Sequence, residues 1–400
     1  LNLNRQEKKV MTLTTASHSL VHLFEGVLPP LIPLVIADFG TDYFRMGLIV
    51  SIFSYAFGLG SLPAGMLSDK IGPRRLVSVY LLGASLAILL VSGARSLWVY
   101  AAIMGVVGAF CSIYHPAANT LISHAIRQKG GAFGIHGIAG SLGVAIVPVL
   151  SAWIGTLIGW RAPHVVFGLV GIAVGIYSLS LPRYPKAAGD AGRPAAKSAE
   201  AAKRTSLFNL VLFFLSATAL GMTYKGIMTF LPVYMGQKVH LTLFQMDTVA
   251  LGGSVATLAL LSGAVGQYLA GRLTDRFQPE KVYLGSVALG TFFVFVMAIS
   301  RDGLLILAAV LYAFFYFSVQ PTQNFLVSCY LPVERHGMGY GILFILTFGV
   351  GSTAAAVSGY LADRFGLESV FYAMGLCFLA STVMVLTLVI QRGRAAAPAV

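Results

Sequence analysis

Apolar blocks of 18 or more residues recur along the whole 400-residue chain, separated by short polar runs. Each is about what an α-helix needs to cross a roughly 30 Å hydrocarbon layer. Twelve such blocks are read, at 11–38, 46–68, 76–94, 97–125, 132–156, 163–182, 207–236, 244–271, 282–300, 303–331, 337–361 and 370–390. They are numbered here as spans 1 to 12. Between spans 6 and 7 the stretch 183–206 is rich in Ala, Lys, Arg, Gly and Pro and has no apolar period, so it reads as a cytosolic linker. The pattern predicts an N-terminal six-helix bundle over 1–182 and a C-terminal one over 207–400.

The two halves repeat. Pro116-Ala117-Ala118-Asn119 with Leu121-Ile122-Ser123 matches Pro321-Thr322-Gln323-Asn324 with Leu326-Val327-Ser328 at an offset of 205 residues. Gly134-Ile135 matches Gly341-Ile342 at 207. A repeat unit of six spans keeps one orientation in both halves and implies a pseudo-twofold axis along the membrane normal. The predicted fold class is therefore an all-α integral membrane protein with a cavity between two related bundles. Glycines every third residue from Gly131 to Gly143 in span 5 supply the small side chains that close helix packing in lipid requires.

Composition agrees: 57% of residues are apolar and 10% charged, with a mean hydropathy of +0.82. Soluble domains carry roughly 25% charged residues. The net charge of +13 would suggest a polyanionic partner in a soluble protein, but its placement gives another explanation. With both termini in the cytosol, only Arg45, Arg95, Arg161, Lys238, Arg301 and Arg364 fall on the opposite side, and Lys225 alone lies inside a span. The excess reports orientation. No nucleic-acid partner is expected; a bacterial-type inner membrane is. Cys111, Cys329 and Cys377 lie within spans without paired or metal-type spacing. The first apolar stretch is about twice the length of a signal-peptide core and reads as a retained helix.

The loop between spans 2 and 3 reads Gly65-Met66-Leu67-Ser68-Asp69-Lys70-Ile71-Gly72-Pro73-Arg74-Arg75, and a degraded copy, Gly271-Arg272-Leu273-Thr274-Asp275-Arg276, follows 206 residues later. With these loops, twelve spans and a central linker, the chain resembles the major facilitator superfamily over its full length. The resemblance implies two six-helix domains that rock about a central site. It makes Asp69 the acid of a cytosolic latch, with Gly65 and Gly72 permitting close approach and Lys70, Arg74 and Arg75 as its basic members. The second copy keeps Asp275 and Arg276 but has Gln278 where the later glycine belongs.

A narrower likeness is carried by His22-Leu23-Phe24-Glu25, Tyr114-His115-Pro116 and Leu331-Pro332…Gly337-Met338. These resemble the fosmidomycin-resistance branch, whose members export small molecules. That branch reads His-Leu-x-Asn-Asp in span 1. Here Glu25-Gly26 replaces the Asn-Asp pair and Ala117 replaces an acid after His-Pro.

Charges in the hydrocarbon zone cost several kcal/mol unless paired or watered, so Glu25 and Lys225 are the prime candidates for function. Glu25 lies 13 residues before Asp38 and Lys225 12 before Gln237, which puts both roughly 18–20 Å from the outer end of their helices. They are equivalent helices in the two halves, so the pair faces across the cavity. It is either a switch opened by a proton or a fixed buried pair that sets helix packing. His18, His22 and Glu25 share one helical face and offer a proton path. His136 and His115, Tyr55 and Tyr224, and Asn119, Gln320 and Asn324 are the further candidates for solute contact. Packing alone explains any of these equally well.

No phosphate-cradling Gly-x-x-x-x-Gly-Lys-Ser/Thr loop is present, and catalytic groups do not cluster beyond span 1, so neither an ATP-driven pump nor an enzyme is expected. Neither is a cofactor or a resident metal, although a metal as cargo stays open because of the histidines. The reading is a monomeric proton-coupled transporter of a small polar or anionic organic solute, acting in efflux. Uptake of a small carboxylate and a non-transporting membrane receptor are its rivals.

Overall fold

The computed structural model describes residues 3–182, 206–240, 246–332 and 335–396, so the linker expected at 183–206 lies outside the described residues but for Ser206. Every regular element among them is helical. Twelve segments are long and apolar enough to cross a membrane. Those that shape the site are span 1 (Arg5–Phe39), span 2 (Tyr43–Ser68), span 4 (Leu97–Ala125), span 5 (Gly131–Ile158), span 7 (Leu207–Lys238), span 8 (Thr248–Arg276), span 10 (Asp302–Tyr330) and span 11 (Met338–Phe365).

The packing repeats as the sequence does. Span 1 packs on spans 5 and 6, span 2 on 4, and span 3 on 4 and 6; correspondingly, span 7 packs on 11 and 12, span 8 on 10, and span 9 on 10 and 12. Between the halves, span 2 lies along span 11 and span 5 along span 8. A twofold operation that exchanges the halves converts one of these contacts into the other.

Three spans are interrupted among the described residues, two of them at prolines. Span 1 is helical over Arg5–Gly26 and resumes at Ile32–Phe39. Pro29 and Pro30 lack the amides that would bond to the carbonyls of Glu25 and Gly26, so the helix ends one residue after the buried acid. Its other end carries a reciprocal cap: Asn4 Oδ1 accepts from the Gln6 and Glu7 amides, and Glu7 Oε2 accepts from the Asn4 amide, each at 2.9 Å. Span 4 breaks at Ser112–Ile113, where the ring of Pro116 opposes the Ser112 carbonyl. Span 10, with the equivalent Pro321 inside it, runs as one helix over Asp302–Tyr330. Span 11 opens into a π-turn at Ile345–Gly349 and a 3₁₀ turn at Val350–Ser352, the kind of defect that recurs at functional positions.

The halves meet on the side away from the N-terminus, called here the far side. The Asp363 carboxylate at the end of span 11 accepts hydrogen bonds from the backbone amides of Tyr43 and Phe44, at 3.0 and 2.8 Å. These are orphan donors at the start of span 2. Gly47 abuts the Ala355 carbonyl and Gly359 the Tyr43 carbonyl, so a Cβ at either position would overlap backbone. On the other pair, Trp153 Nε1 donates to Ser254 Oγ and the Val149 amide to Thr257 Oγ1, both at 3.1 Å. Toward the N-terminal side a space lined by residues of both halves lies between them. The molecule is closed on the far side and open on the terminal side.

Gly47→Val and Gly359→Val should each prevent far-side closure. Spin labels at the exposed far-side positions Leu157 and Phe365 should move apart in either variant relative to the parent. An unchanged distance distribution would show that these close approaches do not set the state.

Candidate functional site

Glu25 and Lys225 meet across the interface between halves. Lys225 Nζ lies 2.5 Å from Glu25 Oε1, with side chains 5% and 11% exposed for the lysine and the acid. The second carboxylate oxygen, Oε2, sits 3.0 Å from His22 Nδ1, one turn earlier on the same helix. The ammonium also lies 5.4 Å from the Phe348 ring and 5.7 Å from that of Tyr224. Aromatic faces this close add to its stabilisation. The π-turn of span 11 carries Phe348, and the end of the first helix carries Glu25, so two of the three irregularities border the pair.

The pair divides the interior into two compartments. On the terminal side is an atom-free space of about 1080 Å³, lined by His18, His22 and His115 of the N-half and by Gln267, Gln320, Gln323 and Asn324 of the C-half. Beyond the pair is a smaller, more apolar space of about 570 Å³, where Glu25 and Lys225 lie among Val50, Val147, Met228 and Leu260. His22, Val144 and Tyr224 line both. The larger chamber thus adjoins the space that holds the charged pair, with His22, Val144 and Tyr224 between them.

The histidines form one cluster. His18 stacks on His136 at 4.1 Å between centroids and contacts His22 and His115 at 5.2 Å each. Its Nδ1 meets the His136 carbonyl oxygen at 2.7 Å. Gly140 lets this happen, because a Cβ there would overlap the His18 ring. His136 itself is buried with neither ring nitrogen hydrogen-bonded among the described residues, and it lines neither chamber.

Other candidates are placed differently. Gln320 and Asn324 line the larger chamber and Tyr224 both, whereas Tyr55 and Asn119 line neither. Phe53 and Phe57 pack inward, so Tyr55, two residues from each and about 200° around the helix, faces the other way. Asn119 lies one turn beyond His115 and is exposed.

Of the latch residues, Gly72 takes φ +95°, a conformation suited to glycine, where span 2 turns into span 3. Arg74 Nε donates to the Ser178 carbonyl at 3.1 Å and its guanidinium also reaches the Leu179 carbonyl. In this state it therefore caps span 6 of its own half rather than bridging the halves. Lys70, Arg75, Asp275 and Arg276 are exposed and make no ion pair among the described residues. Gly65 faces Pro116 of span 4 at contact distance. The Asp69 side chain lies outside the described residues.

Sequence reasoning missed a bridge of amides. Ser141 Oγ donates to Gln267 Oε1 at 2.8 Å, and Gln267 Nε2 to Gln320 Oε1 at 3.2 Å, joining spans 5, 8 and 10 at the chamber wall. A glutamine inside an apolar span was the available signal.

Comparison with known proteins follows the geometry. Residues 14–250 and 247–399 match the family model described as Major Facilitator Superfamily. The chain belongs to this family. It is 23% identical over 383 residues to a D-galactonate transporter of Escherichia coli O6:H1, covering 87% of this chain and 86% of that one. It is 24% identical over 268 residues to a probable hexose phosphate transport protein of Chlamydia pneumoniae, covering 61% and 59% respectively. In fold it is similar to a bacterial homologue of the lysosomal transporter Spinster in an inward-facing and occupied conformation, with a TM-score of 0.78, 14% identity, and 97% of each chain covered. The protein is a transporter of small organic substrates, not an enzyme.

Removing one partner of a buried ion pair leaves an uncompensated charge, at a cost of about 3–5 kcal/mol, whereas removing both is often neutral. Glu25→Gln and Lys225→Met should each lower the unfolding temperature in detergent, and the double variant should recover most of the loss. A double variant as unstable as the sum of the singles would mean that the two groups are not coupled.

Proposed function

We propose that this protein is a secondary transporter that carries a small organic anion together with protons by alternating access. It sits in a bacterial inner membrane, with the basic terminal side facing the cytosol and the far side facing outward. The single observation that carries this reading is the Glu25–Lys225 pair, which lines the smaller space next to the larger chamber and shares His22 and Tyr224 with it.

A proton on Glu25 cancels the charge that holds Lys225 and frees the ammonium for an anion entering past Tyr224. An anion that draws Lys225 away leaves Glu25 ready to take a proton. Each ligand raises the affinity for the other by the same factor. Proton exchange, the mode of the efflux expected from the sequence, needs solute and proton to compete for one group. Opening one pair from its two ends instead favours movement in the same direction. The relatives named above are described as carrying D-galactonate and hexose phosphate, both anionic sugars, which supports a carboxylate or phosphate ester as cargo. His22 is in hydrogen-bonding contact with Glu25 and His18 stands next to it, so a water-bridged route from the chamber to the acid is short. Gln267, Gln320 and Asn324 face it from the other half and suit the hydroxyls of a polar solute.

Two measurements follow. In thermal-shift titrations, D-galactonate or glucose 6-phosphate should stabilise the purified protein, by about 2.7 kcal/mol at 100 times Kd. Neutral glucose should not, and Lys225→Met should abolish the response. Equal stabilisation by neutral and anionic sugars would remove Lys225 as the anion contact. In proteoliposomes, an imposed proton gradient should drive the stabilising anion in the same direction as the protons, and Glu25→Gln should leave only gradient-independent counterflow. Opposed fluxes would establish exchange, and ligand binding with no flux in any gradient would indicate a receptor.

A further inference from the structure

The chamber holds an arrangement of three histidines that a proton route through His22 and His18 does not by itself explain. One ring nitrogen from each of His18, His22 and His115 lies within 4.8 Å of the others. All three side chains line the open chamber. We propose that they form a binding site for one divalent transition-metal ion of the zinc class.

Three features carry this. First, the spacing is close to that of a coordination shell. Ligands at about 2.0–2.1 Å from a tetrahedral zinc stand about 3.3 Å apart, so modest side-chain rotations close the triad. Second, the outer contacts are those that metal-binding imidazoles use. His18 Nδ1 faces the His136 carbonyl at 2.7 Å and His22 Nδ1 faces the Glu25 carboxylate at 3.0 Å. A ring that donates its Nδ1 proton to a carbonyl or carboxylate has a fixed tautomer and presents Nε2 as a lone pair. Third, the rings are not bonded to each other. Among the described residues they meet only by ring contacts at 5.2 to 5.9 Å between centroids, so their nitrogens converge on shared space rather than on one another.

The chamber supplies water for the fourth position, as in open three-histidine sites. Neutral imidazoles select zinc, nickel, cobalt or copper over magnesium and calcium, which demand oxygen ligands. The site lies within the N-terminal half, on spans 1 and 4, and does not bridge the two bundles.

Equilibrium dialysis of the tag-free protein against zinc chloride or magnesium chloride, followed by elemental analysis, tests this without any transport step. One zinc and no magnesium should be retained per chain. His22→Ala and His115→Ala should each weaken retention by about tenfold or more, and Glu25→Gln, which removes an outer contact, by about 10- to 100-fold. His240→Ala, at an exposed histidine on the far side, should bind as the parent does. Should the triad variants fail to fold, zinc-edge absorption spectroscopy on the parent should read at least three imidazoles in the first shell. Equal retention by His115→Ala, no stoichiometric zinc, or an oxygen-only shell would overturn the site. Zinc binding does not depend on which solute is carried, so this result and the transport result stand apart.

Discussion

A carboxylate and an ammonium held together between two bundles, with little solvent on either, is the constraint on which the rest of the molecule depends. Neither charge is tolerable alone at membrane depth. The Glu25–Lys225 pair therefore obliges spans 1 and 7 to approach each other and makes the two halves meet at a defined point. The helix end created by Pro29 and Pro30 places the acid there, and the π-turn of span 11 brings Phe348 against the lysine. His22 occupies the remaining carboxylate oxygen. A pair held this way is strong while both members are charged and has no support once one is neutralised.

On either side of that point the two faces of the protein are built differently. The far side closes by backbone contact: glycines at 47 and 359 let helices touch, and Asp363 caps the start of span 2 with its carboxylate. The glycine contacts leave no room between the backbones, and the Asp363 hydrogen bonds lie at the exposed rim. The terminal side carries exposed charges on its loops, and Arg74 is engaged with its own bundle. An interface of exposed charges has many near-equivalent arrangements and is the easier of the two to open. The contrast fits a molecule resting with its chamber open toward the basic side.

The membrane made much of this legible. Hydrocarbon length forces each span to announce itself as an apolar block, and the halves repeat closely enough for Pro116 and Pro321 to be paired by eye. Glu25 and Lys225 stood out because nothing else charged lies so deep. Less visible was whatever depends on rotation about a helix axis or on partners distant in sequence. Tyr55 faces away while Phe53 and Phe57 face in, a difference of two residues that composition does not report. His115 joins His18 and His22 only because span 4 breaks before Pro116, and a third histidine a hundred residues away carries no local signal. Gln267 and Asp363 were overlooked for the same reason: their partners, Ser141 and the amides of Tyr43 and Phe44, lie in the other half.

The central claim is that one event, the parting of Glu25 from Lys225, binds proton and anion together. Proton uptake on ligand binding measures it most directly. Titration of the purified protein with the stabilising anion, in buffers of different ionisation enthalpy at fixed pH, should show protons taken up with the ligand, and Glu25→Gln should take up none. Anion binding with no proton uptake in the parent, or with undiminished uptake in Glu25→Gln, would contradict the account.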